Sequence, residues 1–382
     1  MIVTLDACGV GALPDAAEYG DAGADTLAHL ADAVGGLDLP VLGALGLGAI
    51  SAIAGVPPAA APTGIHGRLA PLGPGKDSTT GHWELMGAVP PAPMPTYPRG
   101  FPAEVVADLE NATGHTFCCN LPYNGVAALE DFGARHLRSG ELVLYTSQDS
   151  VLQLAAHDDV LDVTGLHEAC RTAREVMCGI HAVGRVIARP FTGEKGAFRR
   201  VPGRRDLALE PPSRSILDAL TDARVPVHGV GKVRDLFAGR GVSEHHPAAG
   251  NAEAIAATDA LLGSLESGLI FTNLVDTDQL HSHRKDAEGF HAALRAIDAA
   301  VGRWAGALRE GDLMILSADH GCDIASAHSD HTREHVPLLA FGPGVAPGRH
   351  DGAMADVGQT VHRWLTGADA EGIPGAAFTS RA

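Results

Sequence analysis

Asp312-Leu313-Met314-Ile315-Leu316-Ser317-Ala318-Asp319-His320-Gly321 decides the fold of this chain, and His331 follows in Asp330-His331-Thr332-Arg333-Glu334. The mostly apolar run Asp312 to Ser317 reads as a β-strand. An Asp-His pair at its carboxyl end sits where open α/β sheets hold their ligands. Carboxylate and neutral imidazole together bind divalent transition metals.

Working outward, other strand ends carry compatible groups. Met1 to Leu5 reads as a first strand that ends at Asp6. The apolar run 269–275 is followed by Asp276, Asp278, His281 and His283. His331 and His335 lie in the loop before a strand expected at 336–341. A further strand is expected at 226–230, and helices at 213–223, 252–266, 289–309 and 355–365. This alternation predicts an α/β core, a mainly parallel central sheet flanked by helices on both faces. Parallel strands bring their carboxyl ends to one edge, so the ligands can converge. Three Asp and three His suit two adjacent divalent ions.

The first part of the core is interrupted. Six prolines fall between Ala88 and Pro102, a run that continues neither a helix nor a central strand. Beyond it the pattern changes, with helices expected at 103–112, 125–138 and 165–177 and strands at 142–147 and 183–191. The expected organisation is core 1–90, an inserted α+β cap domain 91–212, and core 213–382.

Composition bounds the function. With 28 basic and 46 acidic residues among 382, the net charge of −18 argues against non-specific nucleic-acid or anionic-membrane binding. Six Cys in no framework read as reduced thiols. The N-terminus shows no signal-peptide pattern and no window has the length of a membrane span, so the expected compartment is the cytoplasm. No obligatory protein partner is evident.

Gly75-Lys76-Asp77-Ser78-Thr79-Thr80-Gly81-His82 is a Gly-rich turn that opens a helix. Such a turn offers backbone N–H groups and a positive helix end to an anion. A hydroxyl beside two metals is a candidate nucleophile, and spacing alone leaves Ser78, Thr79 and Thr80 open.

Taken together, Asp6, Lys76-Asp77-Ser78-x-x-Gly81-His82-Trp83-Glu84, Asp278-x4-His283, Asp319-His320-Gly321 and the 330–334 motif resemble the alkaline phosphatase superfamily. Within it the chain is most similar to the phosphopentomutases. Distinctive tags are Gly9-x-Gly11-x-x-Pro14-Asp15-Ala16, the 81–87 motif, Tyr145-Thr146-Ser147-x-Asp149-Ser150-Val151-Leu152-Gln153 and Gly184 to Phe191. The resemblance implies an alkaline-phosphatase-like core and two Mn2+ ions. One would be bound by Asp6, Asp319 and His320, the other by Asp278, His283 and His331. It implies Ser78 as a nucleophile carried as a phosphoenzyme and primed by a sugar bisphosphate. It implies Ser147, Asp149, Arg185, Arg200 and Lys232 as contacts to ribose or deoxyribose phosphate. The ligand set alone would also accept zinc. The chain departs from the family pattern with Ser78 for the usual Thr, Ala7 for Ser, Cys322 for Asn, and an extra imidazole at His281. The rival readings are a metal-dependent phosphatase or phosphodiesterase on the same core, and a non-catalytic sugar-phosphate-binding protein.

Overall fold

The computed structural model describes residues 1–147 and 150–381. By its contacts the chain divides into two compact units, Met1–Ala92 with Glu210–Ala382, and Pro93–Leu209. In chain order the strands are β1 (Ile2–Leu5), β2 (Ile65–Ala70), β3 (Phe117–Pro122), β4 (Leu142–Thr146), β5 (Val151–His157), β6 (Arg185–Thr192), β7 (Arg199–Arg200), β8 (Arg205–Ala208), β9 (Val227–Val230), β10 (Glu244–His246), β11 (Leu269–Leu274), β12 (Met314–Ser317), β13 (Val336–Phe341), β14 (Gly348–Arg349) and β15 (Gly352–Ala353).

The first unit is built on one sheet of order β10-β9-β11-β1-β12-β13-β2-β14, with β15 also on β2. The five strands from β10 to β12 are parallel. Every residue of β1, β11, β12 and β13 is buried, as expected of strands covered by helices on both faces. One expectation needs refining: β13 runs antiparallel to both β12 and β2. A parallel return needs a crossover, usually a helix. The connection 318–335 contains none among the described residues, so the chain turns back instead. The amino end of β13 therefore lies at the edge where β1, β11 and β12 end.

Local chemistry sets the helix starts. Asp25 caps the helix Thr26–Val34 by accepting from Ala28 N. Asp77 and Thr80 form a reciprocal capping box at the start of Ser78–Leu85, and Ser215 and Asp218 do the same for Ile216–Asp222. The helix Ala287–Ala307 buries Phe290, Leu294, Ile297, Val301 and Trp304, one stripe at helical spacing.

The second unit has a sheet of order β3-β4-β5-β6-β7, with β8 on β6. Alternation along β4 divides its core in two. Leu142 and Leu144 join one cluster with Leu109, Leu166, Cys170 and Ala173 from the helices Ala103–Thr113 and Val163–Val176. Val143 and Tyr145 face the other way, onto Leu129, Phe191 and Phe198. Several strands here and in the first unit, including β3, β7, β8, β10, β14 and β15, have no counterpart in the sequence expectations. No helix of the described residues is long and apolar enough to cross a membrane.

Candidate active site

Asp6, Asp278, Asp319, His320 and His331 come together at the carboxyl edge of the parallel strands. Asp6 follows β1 and Asp319 follows β12, which are neighbours in register. Ala7 takes a left-handed φ of 65° and its N–H donates to Asp319 Oδ1 over 3.3 Å, closing the turn between the two carboxylates. The helix Ser78–Leu85 packs directly on the end of β12. A Cβ at Gly81 would stand 2.1 Å from the Asp319 carbonyl oxygen, so only glycine permits this approach.

The approach sets the nucleophile. Ser78 Oγ lies 3.0 Å from His320 Nε2 and 3.4 Å from Asp6 Oδ1. His320 Nδ1–H donates to Gly321 O at 3.0 Å, which leaves the Nε2 lone pair facing Ser78. Thr80 Oγ1 is committed to Asp77, at 2.7 Å from its carboxylate, and Asp77 also accepts from Thr79 N and Thr80 N. Of the three hydroxyls left open by spacing, Ser78 is the one with hydrogen-bond partners in the carboxylate–imidazole cluster.

The second cluster forms around Asp278. Its Oδ1 is 3.2 Å from His283 Nε2 and 3.5 Å from His331 Nε2. His283 Nδ1–H donates to Ser329 O at 2.6 Å, which points Nε2 at the carboxylate. The His320 and His331 rings are 3.9 Å apart, linking the two clusters.

Electrostatics reflects the crowding. Burial, then Asp319 and Asp278, push the Asp6 carboxyl well above its ordinary range. Burial would raise Asp319 and Asp278 too. His320 and His82 outweigh it at Asp319, and His283 and His331 outweigh it at Asp278, so both are lowered. The Asp278 hydrogen bond, then Cys322, push His283 up to about 11.

These residues fit divalent metals. The ligand atoms of Asp6, Asp319 and His320 all lie within 4.8 Å of one another, as do those of Asp278, His320 and His331, and those of Asp278, His283 and Cys322. Buried Asp319 Oδ2 and His331 Nε2 have no hydrogen-bond partner. His320 and His283 each give their other ring N–H to a backbone carbonyl, the arrangement that fixes a metal-ligating imidazole. Three nearly buried carboxylates at one edge also call for positive charge.

Other expected residues are placed elsewhere. His281 pairs with Asp286 at 2.8 Å, and His335 Nδ1 faces Gly11 O at 3.3 Å. Lys232 sits half-buried after Gly231 at the end of β9, and its charge acts to lower Asp6. In the second unit Ser147 follows β4. Arg185 opens β6, 3.8 Å from Asp206, and Arg200 is exposed on β7. Asp149 lies outside the described residues.

Sequence reasoning passed over several supporting groups. Asn273 Nδ2 donates to Asp6 Oδ2 at 3.0 Å, and Thr277 Oγ1 donates to Asp6 O at 2.6 Å. Asp21, with a fully buried side chain, accepts from Lys76 Nζ at 2.8 Å, His328 Nε2 at 2.9 Å and Arg333 N at 2.8 Å. Arg333 also pairs with Asp15 at 3.0 Å and donates to Gly75 O. The Pro14-Asp15-Ala16 tag and the 330–334 motif, noted separately, thus meet through one guanidinium.

Comparison with known proteins now decides the family. The Metalloenzyme superfamily profile matches residues 1–366. A protein of Anaeromyxobacter dehalogenans described as a phosphopentomutase is 48% identical over 372 residues, covering 96% of this chain and 95% of its own. The chain belongs to the phosphopentomutase family. A phosphopentomutase of Carboxydothermus hydrogenoformans is 44% identical over 364 residues, 94% of each chain. The crystal structure of Leishmania mexicana phosphoglycerate mutase at low cobalt concentration covers 98% of this chain and 96% of its own. Its TM-score is 0.50 at 12% identity, a likeness of fold alone. Membership makes the chain a metal-dependent isomerase of the intramolecular phosphotransferase kind.

Proposed function

We propose that the chain interconverts ribose 1-phosphate and ribose 5-phosphate, and the 2-deoxyribose pair, through phospho-Ser78. The observation that carries this is the placement of Ser78 Oγ, 3.0 Å from His320 Nε2 and 3.4 Å from Asp6, beside a donor set suited to cations. In the proposed cycle, phospho-Ser78 gives its phosphoryl group to the free hydroxyl of the pentose phosphate. The hydroxyl oxygen forms the new P–O bond, the bond to Ser78 Oγ breaks, and the hydroxyl proton leaves to a nearby base or water. The bisphosphate turns around and returns its other phosphoryl group to Ser78. When bound, two divalent cations lower the pKa of the Ser78 hydroxyl and neutralise charge on the transferring phosphoryl oxygens. Asp6, Asp319 and His320 would hold one, and Asp278, His283 and His331 the other. Manganese is the proposed ion and a sugar bisphosphate the proposed primer.

The chain's own residues do the positioning. The helix Ser78–Leu85 offers its positive end to the phosphoryl group, while the Thr79 and Thr80 N–H groups stay with the capping Asp77. Asn273 and Thr277 fix the Asp6 carboxylate and its carbonyl. Lys232, Arg185, Arg200, Ser147 and Asp149 are assigned to the sugar phosphate, arginine for bidentate phosphate contacts and Asp149 for ribose hydroxyls. In this reading Pro93–Leu209 is the inserted cap domain, and turnover requires that the phosphoserine be kept from water. A cytoplasmic role in nucleoside and pentose-phosphate turnover goes with it.

The test is incubation with a sugar bisphosphate followed by mass spectrometry of the peptide holding Ser78, alongside assay with ribose 5-phosphate. Phosphate on Ser78 and formation of ribose 1-phosphate are expected, and Ser78→Ala should lose both. Prompt release of inorganic phosphate without ribose 1-phosphate would establish the phosphatase reading instead.

A further inference from the structure

We propose that His228, Glu244 and His246 form a separate binding site for a borderline transition-metal ion such as Zn2+ or Ni2+. It lies at the outer edge of the first unit's sheet. β9 and β10 are parallel neighbours, with Glu244 opposite His228 and His246 opposite Val230. Side chains along a strand alternate between faces, so Glu244 and His246, two residues apart, share one face. His228, paired with Glu244, is on that face as well. Gly229, the next position, looks the other way: a Cβ there would meet Val233 and Val242. The backbone alone thus gathers two imidazoles and a carboxylate.

The side chains use that placement. His228 Nδ1 is 3.1 Å from His246 Nε2, Glu244 Oε2 is 3.6 Å from His228 Nδ1, and Glu244 Oε2 is 4.0 Å from His246 Nε2. A triangle with these three edges has a circumscribed radius of about 2.1 Å, which matches zinc–nitrogen and zinc–carboxylate bond lengths. An ion at its centre would reach all three atoms with little movement of the side chains. Two His and one Glu leave a fourth position for water, a set that suits zinc, nickel, cobalt or copper.

The surroundings favour a cation. Among the described residues Glu244 has no Lys or Arg partner. Exposure rises from 7% at His228 through 28% at His246 to 62% at Glu244, so the inner ligand is held and the outer one opens to solvent. Burial lowers the His228 pKa, which keeps its imidazole in the neutral, ligating form. The two imidazoles now share one N–H···N hydrogen bond. Neither His228 Nε2 nor His246 Nδ1 has a hydrogen-bond partner among the described residues, so the shared proton can move to an outer nitrogen or leave when the ion enters.

The site is separate from the cluster at Asp6 and Asp278 and shares no residue with it. Its ion would tie the edge strand β10 to β9. The segment between these strands, 231–243, carries Lys232.

The experiment is equilibrium dialysis of the full chain, already saturated with Mn2+, against Zn2+ or Ni2+, with metal counted by elemental analysis. Glu244→Gln and His246→Ala are both open enough to fold. Wild type is expected to hold one more Zn2+ or Ni2+ per chain than His246→Ala. Glu244→Gln should weaken that ion by roughly 10-fold or more, and His246→Cys should restore it. In parallel, zinc should raise the thermal midpoint of the wild type and leave that of His246→Ala unchanged. Equal zinc and nickel content in wild type and His246→Ala overturns the proposal. So does the absence of any ion in wild type beyond those at the Asp6 and Asp278 clusters.

Discussion

Asp21→Asn is a substitution whose cost can be worked from the structure. The Asp21 side chain is fully buried and takes three donors, Lys76 Nζ, His328 Nε2 and Arg333 N, at 2.8 to 2.9 Å. His328 Nδ1 accepts from Asp330 N, so Nε2 is the protonated nitrogen and is a donor to Asp21. An asparagine keeps one acceptor oxygen and turns an NH2 group toward the remaining donors. At least one donor loses its acceptor, and Lys76 loses its counter-charge. Hydrogen bonds to charged groups contribute about 1.5–3 kcal/mol each, and breaking a buried ion pair costs about 3–5 kcal/mol. Lys76 keeps 26% of its side chain in solvent, which lowers the pair's share. The expected loss is about 2–4 kcal/mol for Asp21→Asn. It should be about 1–3 kcal/mol for Lys76→Met, which leaves Asp21 two of its donors.

The double variant separates this network from general damage. If Lys76 and Asp21 act as a pair, the two losses overlap, with a coupling of about 1 kcal/mol or more. All three tryptophans, Trp83, Trp304 and Trp364, lie in the first unit. Urea unfolding followed by tryptophan fluorescence therefore reports the unit that holds the network. Turnover should fall in both single variants, because Lys76 is two residues from Ser78 and Arg333 two from His331. Additivity within about 0.5 kcal/mol would refute the reasoning.

Three further outcomes are expected. Gly81→Ala forces a Cβ to within 2.1 Å of the Asp319 carbonyl oxygen, so the helix bearing Ser78 must shift; turnover should fall at least about 100-fold, since displacements near 1 Å cost that much, and wild-type kinetics would argue against the packing. His136 is buried, gives Nδ1–H to Glu141 O at 2.6 Å and accepts from His157 N at 2.8 Å, and burial lowers its pKa. The unfolded chain then binds the proton first, so stability is full above about pH 6.5 and falls below it by up to about 1.4 kcal/mol per pH unit; exchange protection of the His157 amide, corrected for intrinsic rate, should drop from pH 7.5 to 5.5, and this drop should shrink in His136→Asn. Chelation should lower the thermal midpoint of the first unit and abolish turnover, with both restored by a divalent cation, because three carboxylates are then left without one; a midpoint unmoved by chelator would contradict the metal fit.

Much of the site was legible because its ligands follow strands that announce themselves. Asp319 and Asp6 stand directly after apolar runs, and a parallel sheet brings such ends together without further information. The placement of His331 was legible as a loop position, but its physical reason was not. It depends on β13 running antiparallel, and strand direction is set by pairing across the sheet and by the lack of a helix in 318–335. Asp21 reads as one more acid in a Gly-rich loop, and nothing local marks the three donors that surround it. Arg333 and Asp15 are 318 positions apart, so their pairing emerges only in the folded chain. His228, Glu244 and His246 look like scattered surface residues until the register of β9 and β10 is known. Two-residue strands such as β7, β14 and β15 carry no periodicity at all.

The reversal at β13 makes the 318–335 excursion a bridge between two adjacent strands, with Asp319 and His320 near one footing and His331 near the other. Both footings are clamped by the sheet, while Ala325, His328 and their neighbours on the arch are partly or fully open to solvent. A single proteolytic cut on the arch would leave every strand in place. It would cost the enzyme one of the arch's two anchors, leaving His331, and Ser329 whose carbonyl orients His283, held from the β13 side alone. Such a nicked protein should migrate intact under native conditions and yet bind the second cation poorly, which separates the integrity of the sheet from that of the site it carries.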